Sequence, residues 1–304
     1  MLEQQPRPKI TGTFLDEITH DIPSNNWGRE EWLREFDVMK SIGMDTVIII
    51  RAGYRNSVIF SSKVIDGFLV NEEDLARLFF EAADQRKMKL FFGIYDSGRY
   101  WMENDWKKEA DINLKFIDEV WDRYGRHESF YGWYLTHEVS QGENSYIQLV
   151  TTIADYCKRI TPGKSTLISP YYHGAKHNAA SAISVAQHEK IWREIFREIN
   201  GYIDICAFQD GHVHFHELET WMQVTRHLAD EFGMTMWSNC ESFDRDMPIR
   251  FLPIDWRKMK AKLVATCPYV EKIITFEFPH FMSPNSLWPS AGNLFRRYRE
   301  FLDE

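Results

Sequence analysis

Two glutamates far apart in the chain, Glu138 in GWYLTHE and Glu241 in MWSNCESF, each close an apolar run of strand length. Two carboxyl groups facing one another can cleave a glycosidic bond. One protonates the leaving oxygen, and the other attacks the anomeric carbon or activates water. Glu138 and Glu241 are the candidate pair for these two roles. A retaining mechanism needs the carboxyls roughly 5–5.5 Å apart, and an inverting one about 6.5–9.5 Å. Arg51, Asn239 and Tyr172 are candidates to orient and tune Glu241, and Asp96, His137, Gln209 and Asp210 to hold sugar hydroxyls.

Other residue types in the same runs fit a sugar site. The apolar faces of pyranose rings stack on aromatic side chains, and Tyr54, Tyr172, Trp237 and Trp288 are candidate platforms. Trp27, Trp32, Trp121 and Trp192 fall on helical stripes and read as core. Glu277, inside ITFEF, is a rival second carboxylate or an inward-facing barrel residue paired with Arg51. Buried there, it needs a cation or hydrogen-bonding partner, or it stays protonated. The stretch QDGHVHFHE alternates His212, His214 and His216 before Glu217, which invites a metal reading. The segment runs into a helix, however, where residues two apart do not share a face. Asp210 and His212 therefore read as sugar contacts, with no metal and no cofactor.

Eight apolar runs must position these residues: 9–15, 46–54, 89–95, 130–138, 165–172, 203–211, 235–243 and 272–278. Their starts lie 32 to 43 residues apart, and helix-like segments fill the gaps. One stripe is Trp32, Leu33, Phe36, Met39 and Ile42, after a polar cap region at Ser24–Asn26; another is Leu75, Leu78, Phe79 and Ala82, after Asn71. Eight strand–helix alternations predict an α/β protein, a single (β/α)₈ TIM barrel, with residues 1–304 as one domain and 1–8 as a disordered or extended arm. In such a barrel the chemistry sits at the C-terminal strand ends. Those ends carry Asp16 and Glu17, Arg51 and Tyr54, Asp96, His137 and Glu138, Tyr171, Tyr172 and His173, Gln209, Asp210 and His212, Asn239 and Glu241, and Glu277.

Composition narrows the partner. Thirty-six Lys and Arg against 45 Asp and Glu leave a net charge of -9 over 304 residues. That balance disfavours nucleic acid and anionic membrane surfaces and fits a neutral or cationic small molecule, in line with a small-molecule carbohydrate substrate. The four cysteines (Cys157, Cys206, Cys240, Cys267) show no CxxC spacing and read as isolated buried thiols. MLEQQPRPKITG lacks the apolar segment of a signal peptide, and no apolar stretch approaches ~20 residues. The chain thus reads as soluble and cytoplasmic as written, or periplasmic or secreted if an upstream signal has been removed. No GxGxxG, GxxxxGK[ST] or GxSxG motif is present.

At the ends of the fourth and seventh runs the chain resembles the retaining TIM-barrel glycoside hydrolases of the 4/7 superfamily. The resemblance implies an acid/base at Glu138 and a nucleophile at Glu241, with Arg51 in IIIRAGY matching an Arg that holds the nucleophile. Two positions depart from that pattern. His137 stands where Asn usually precedes the acid/base, and Glu277 where a sugar-stacking Trp is often found. More closely, GTFLDEIT, IIIRAGY, GWYLTHE, AFQDG and the late EF…SP segment resemble domain-of-unknown-function family 4434, a barrel family regarded as glycoside hydrolase-like. The expectation is hydrolysis of a glycosidic bond in a neutral oligosaccharide or glycoconjugate. Two alternatives stand beside it: a metal-dependent sugar isomerase or epimerase using Glu138, Asp210, His212, Glu241 or Glu277, and a catalytically silent carbohydrate-binding barrel.

Overall fold

A computed structural model of the protein describes residues 7–142, 144–245 and 251–304. Eight parallel strands close a barrel: β1 (Ile10–Leu15), β2 (Thr46–Ile49), β3 (Lys89–Gly93), β4 (Phe130–Leu135), β5 (Ser165–Ile168), β6 (Ile205–Gln209), β7 (Thr235–Asn239) and β8 (Lys272–Thr275). Each strand pairs with its neighbours in sequence, and β8 returns to β1 through the Ile10–Ile273 and Thr13–Thr275 registers. This is the predicted TIM barrel. Most of the predicted N-terminal arm, residues 1–6, lies outside the described residues, and Arg7 donates to the Phe301 carbonyl at 3.2 Å.

Helices α1 (Arg29–Ser41), α2 (Leu75–Arg86), α3 (Trp106–Tyr124), α4 (Asn144–Ile160), α5 (Val185–Ile199), α6 (Leu218–Phe232), α7 (Trp256–Thr266) and α8 (Pro289–Asp303) clothe the barrel. Their predicted apolar stripes are the buried faces: α1 buries Trp32, Phe36 and Met39, and α2 buries Leu75, Leu78, Phe79 and Ala82. Helix starts fall later than the sequence suggests. Gly28, whose N–H is taken by Glu31 at 3.1 Å, caps α1, and Asp74 caps α2 through the Arg77 N–H. The anticipated cap, Asn71, instead ties its amide to the Trp27 carbonyl. Cys157, Cys206 and Cys240 are buried, whereas Cys267 is half-buried.

The strands end earlier than their apolar runs because the rim residues leave the barrel ladder. Gly53–Tyr54 pairs with Ser57–Val58 and with Tyr95–Asp96 in a small rim sheet that also takes in Phe68–Leu69. Gly93 sits where β2 turns outward into this sheet. A side chain there would collide with the Ile49 carbonyl, so only glycine permits the approach.

Alternation along each strand sorts the barrel interior into layers. On β7 and just beyond it, Trp237, Asn239 and Glu241 share the inward face. Trp237 packs low in the barrel against Phe91, with ring centroids 5.7 Å apart. Phe14 meets Tyr134 at 5.1 Å and Phe276 at 5.8 Å. Aromatic packing thus closes the barrel below, and the polar layer stands on it.

Candidate active site

A cavity of about 320 Å³ opens at the C-terminal mouth. Its wall brings together Arg51, Glu138, Gln209, His212 and Glu241 with Asp16, Asp21, Tyr171, His177 and Arg245. Apolar lining comes from Ile50, Phe243, Phe251 and Phe276. The two glutamates contributed by β4 and β7 therefore face one shared space.

Their environments differ in sign. Burial raises the Glu138 carboxyl above the ordinary glutamate value; Arg51 opposes that, and Asp96 reinforces it. Arg51 stands 3.9 Å away, the Tyr134 hydroxyl reaches Oε1 at 3.4 Å, and the side chain remains 30% exposed to the cavity. Burial also acts to raise Glu241, but the Arg245 guanidinium outweighs it and leaves this carboxyl lowered. Arg245 grips both oxygens, Nε to Oε2 at 3.0 Å and Nη2 to Oε1 at 2.9 Å. Its guanidinium lies over the rings of Phe243 and Phe251. The two carboxyls of one cavity are thus shifted in opposite directions.

The backbone of Glu241 is held as firmly as its side chain. Asp210 Oδ1 accepts the Glu241 N–H at 3.0 Å, and Lys262 donates to the Glu241 carbonyl at 2.7 Å. Asp210 and Lys262 are themselves an ion pair at 2.7 Å, with side chains 0% and 7% exposed. Removing one partner of such a pair strands a buried charge, at a cost of about 3–5 kcal/mol. Lys262→Met is therefore expected to lower the melting temperature by about 10 °C. The double variant Asp210→Asn/Lys262→Met should recover most of that loss in the same thermal denaturation assay.

Several residues expected in the site lie elsewhere, and strand alternation explains most of them. Tyr171 faces the cavity, so Tyr172 points outward, fully buried against α6 with its hydroxyl 3.1 Å from Thr225. It orients neither Glu241 nor a sugar. His137 likewise turns away from the cavity, and its Nε2 lies 3.0 Å from Glu109 of α3, both side chains 0% exposed. Asn239 occupies the layer below Glu241, where its amide reaches Ser169 at 3.3 Å. Trp237 lies deeper still, as barrel packing rather than a sugar platform. Trp288 sits at the head of α8, where its N–H bonds Ser286, and it is no part of the cavity wall.

The other expected residues take partners or places different from those anticipated. Arg51, the expected partner of Glu241, lies instead 3.7 Å from Asp96 and 3.9 Å from Glu138, and Arg245 takes the expected role. Asp96 spends Oδ1 on the Gly98 N–H and the Trp101 indole, so it braces Arg51 rather than a hydroxyl. Tyr54 stacks under the Arg51 guanidinium at 4.8 Å and against His20. Asp210 clamps the Glu241 backbone, as above. Glu277 is paired with His280, not Arg51, and lies behind the Phe276 wall; burial raises its carboxyl to about 7.

These pairings also bear on the metal alternative. Asp210 is matched to Lys262, Glu241 to Arg245 and Glu277 to His280, and Arg51 stands 3.9 Å from Glu138, so the four acids named for a divalent ion each have a cation beside them. Among the described residues, the converging ligand atoms are those of Asp96, Glu109 and His137. There the Ser97 N–H and hydroxyl satisfy Glu109, and Arg51 faces Asp96. His212 and His177 pack ring to ring at 4.7 Å, and burial lowers both imidazoles, His212 to about 3. Both are neutral walls of the cavity near pH 7.

A protein of Bacteroides thetaiotaomicron VPI-5482 described as a "putative alpha-L-fucosidase" is 46% identical to this chain. The match covers 99% of each chain, with a TM-score of 0.94. The intracellular xylanase TsXylA of Thermoanaerobacterium saccharolyticum JW/SL-YS485 superposes over 90% of both chains with TM-score 0.55 at 10% identity. The beta-D-glucuronidase of Dictyoglomus thermophilum gives TM-score 0.57 at 14% identity, over 92% of this chain and 45% of that one. At such identities the latter two establish a shared barrel and nothing finer. No curated protein matches the sequence. Among the described residues, no helix is long and apolar enough to cross a membrane. The family described as "Domain of unknown function (DUF4434)" matches residues 10–288, most of the barrel, and the chain belongs to that family.

Proposed function

We propose that this protein hydrolyses a glycosidic bond by a retaining mechanism, with Glu138 as acid/base and Glu241 as nucleophile. The observation that carries the reading is the pair itself. Two glutamates share one cavity wall, one raised by burial and the other lowered by Arg245. Glycosidic cleavage needs such a division of labour: a protonated acid beside the leaving oxygen and an ionised carboxylate beneath the anomeric carbon. Arg51 keeps Glu138 oriented, and Arg245 orients Glu241. Gln209, Tyr171 and His212 line the same cavity, which supports a role for them as ring contacts.

The substrate is a neutral sugar residue at the end of an oligosaccharide or glycoconjugate. The cavity lies at the small end of ligand sites, about 300–1,000 Å³, and so takes one or two rings rather than a chain. The 46% identical Bacteroides protein makes an alpha-L-fucoside the first compound to try.

The test is turnover of 4-nitrophenyl glycosides, an alpha-L-fucoside, a beta-D-xyloside and a beta-D-galactoside among them. Proton NMR of the first-formed sugar then reports retention or inversion. The kcat/KM profile should be bell-shaped. Activity is lost as rising pH deprotonates Glu138 and as falling pH protonates Glu241. A profile flat on both sides, or no turnover of any glycoside, overturns the assignment.

A further inference from the structure

Asp16 closes β1 and is 1% exposed, yet it lines the cavity. Its Oδ1 accepts the N–H groups of Ile18 at 3.0 Å and Thr19 at 2.9 Å, which fixes the side chain against its own turn. Oδ2 accepts no hydrogen bond among the described residues. A buried carboxylate oxygen without a donor is costly. Two more cavity groups are in the same condition, Nε of Arg51 and Nδ1 of His212. The wall thus offers a fixed acceptor, a fixed donor and a ring nitrogen that can play either part.

Ligand chemistry follows from that set. A sugar hydroxyl both donates and accepts, so neighbouring hydroxyls satisfy Asp16 Oδ2 and Arg51 Nε together. A carboxylate supplies acceptors alone. Arg51 already faces Asp96 and Glu138, and Arg245 is spent on both oxygens of Glu241. A uronic acid would therefore bring a further negative charge beside Asp16 and Asp21, with Arg245 spent on Glu241 and the charge of Arg51 already offset by Asp96 and Glu138.

Resting on the glycosidase reading, we infer that Asp16 is the specificity-determining residue of this cavity. Its Oδ2 accepts a hydroxyl proton of a neutral sugar ring while Arg51 Nε donates to an adjacent hydroxyl, and the arrangement selects against uronic acids. Asp16 touches the sugar but not the bond that breaks.

The experiment is calorimetric titration of the Glu138→Gln protein with L-fucose, D-galactose, D-xylose and D-glucuronate. At least one neutral sugar should bind, and D-glucuronate at least about tenfold more weakly. Adding Asp16→Asn turns the acceptor toward a donor. It should cost the preferred sugar about ten- to a hundredfold, the scale of a hydrogen bond to a charged group, and narrow the gap to glucuronate. Monodeoxy forms of the preferred sugar, titrated into protein with Asp16 intact, provide a check independent of that variant's folding. One of them should show the same loss.

An affinity for the preferred sugar left unchanged by Asp16→Asn, no loss with any monodeoxy form, or tighter binding of glucuronate overturns the role of Asp16. If glycosides are still turned over by the unaltered protein, the hydrolase reading survives that result. If no sugar in the panel binds and no glycoside is cleaved, both fall together.

Discussion

Glu241→Gln is expected to lower turnover of an activated aryl glycoside by about 10⁴-fold or more, the scale on which removing a covalent nucleophile acts. The amide keeps the shape and forfeits the attack. It also leaves Arg245, packed over Phe243 and Phe251, without the carboxylate that both of its nitrogens grip. Glu138→Gln should behave differently. Loss of a general acid costs about 10²–10⁴-fold, and the size depends on how much help the leaving group needs. A nitrophenolate departs with little protonation, whereas a sugar alkoxide needs a proton. The Glu138 variant should therefore retain far more activity on nitrophenyl glycosides than on natural linkages, and the Glu241 variant should lose both alike. Steady-state kinetics on the two substrate types checks the split. Equal losses in both variants on both substrates would remove the assignment of roles, even with the cavity intact.

Much of the architecture was legible because repeating strand–helix alternation leaves few ways to bury eight apolar runs. Each run became a barrel strand, and the carboxylates at the ends of β4 and β7 came to one mouth. Strand ends were harder, since a buried apolar residue looks the same whether it lies in the barrel ladder or in the rim sheet. Gly53 and Tyr54 extend the β2 run in sequence but pair with Ser57–Val58 and Tyr95–Asp96 in space. Alternation applied more strictly separates Tyr171 from Tyr172 and Glu138 from His137, because adjacent residues on a strand face opposite ways.

What the sequence could not supply was partner choice among charges. Arg51 and Arg245 are both arginines near strand ends, and no local pattern says which guanidinium grips which glutamate. Arg245 lies four residues after Glu241, in a loop whose path brings it back over the carboxylate. Lys262 and Asp210 are similar. Their pairing under the Glu241 backbone depends on where α7 docks, and docking is a property of the whole barrel. Asp16 was visible as a strand-end acid, but its unpaired oxygen emerges only once the β1 turn has consumed the other one.

The position of the Glu241 carboxylate also depends on a residue with no side chain. Gly211 follows the Asp210 clamp, and a Cβ built on it would overlap Oε2 and Cδ of Glu241 and stand 2.9 Å from Arg245 Nε. Gly211→Ala must therefore push the carboxylate aside or loosen the bidentate grip. Misplacing a reacting group by about 1 Å can cost about 10²-fold, so activity should fall by at least that factor. The fold should bear the change better, since an extra methyl in packed surroundings costs about 1–3 kcal/mol. A second readout separates displacement from general damage. Arg245 is what lowers Glu241, so weakening that contact lets burial raise the carboxyl. The acid limb of the kcat/KM profile should then move to higher pH, while the alkaline limb, set by Glu138, stays in place. A Gly211→Ala enzyme with unchanged kcat/KM and an unshifted acid limb would mean that Glu241 does its work in some other position than the one Arg245 defines.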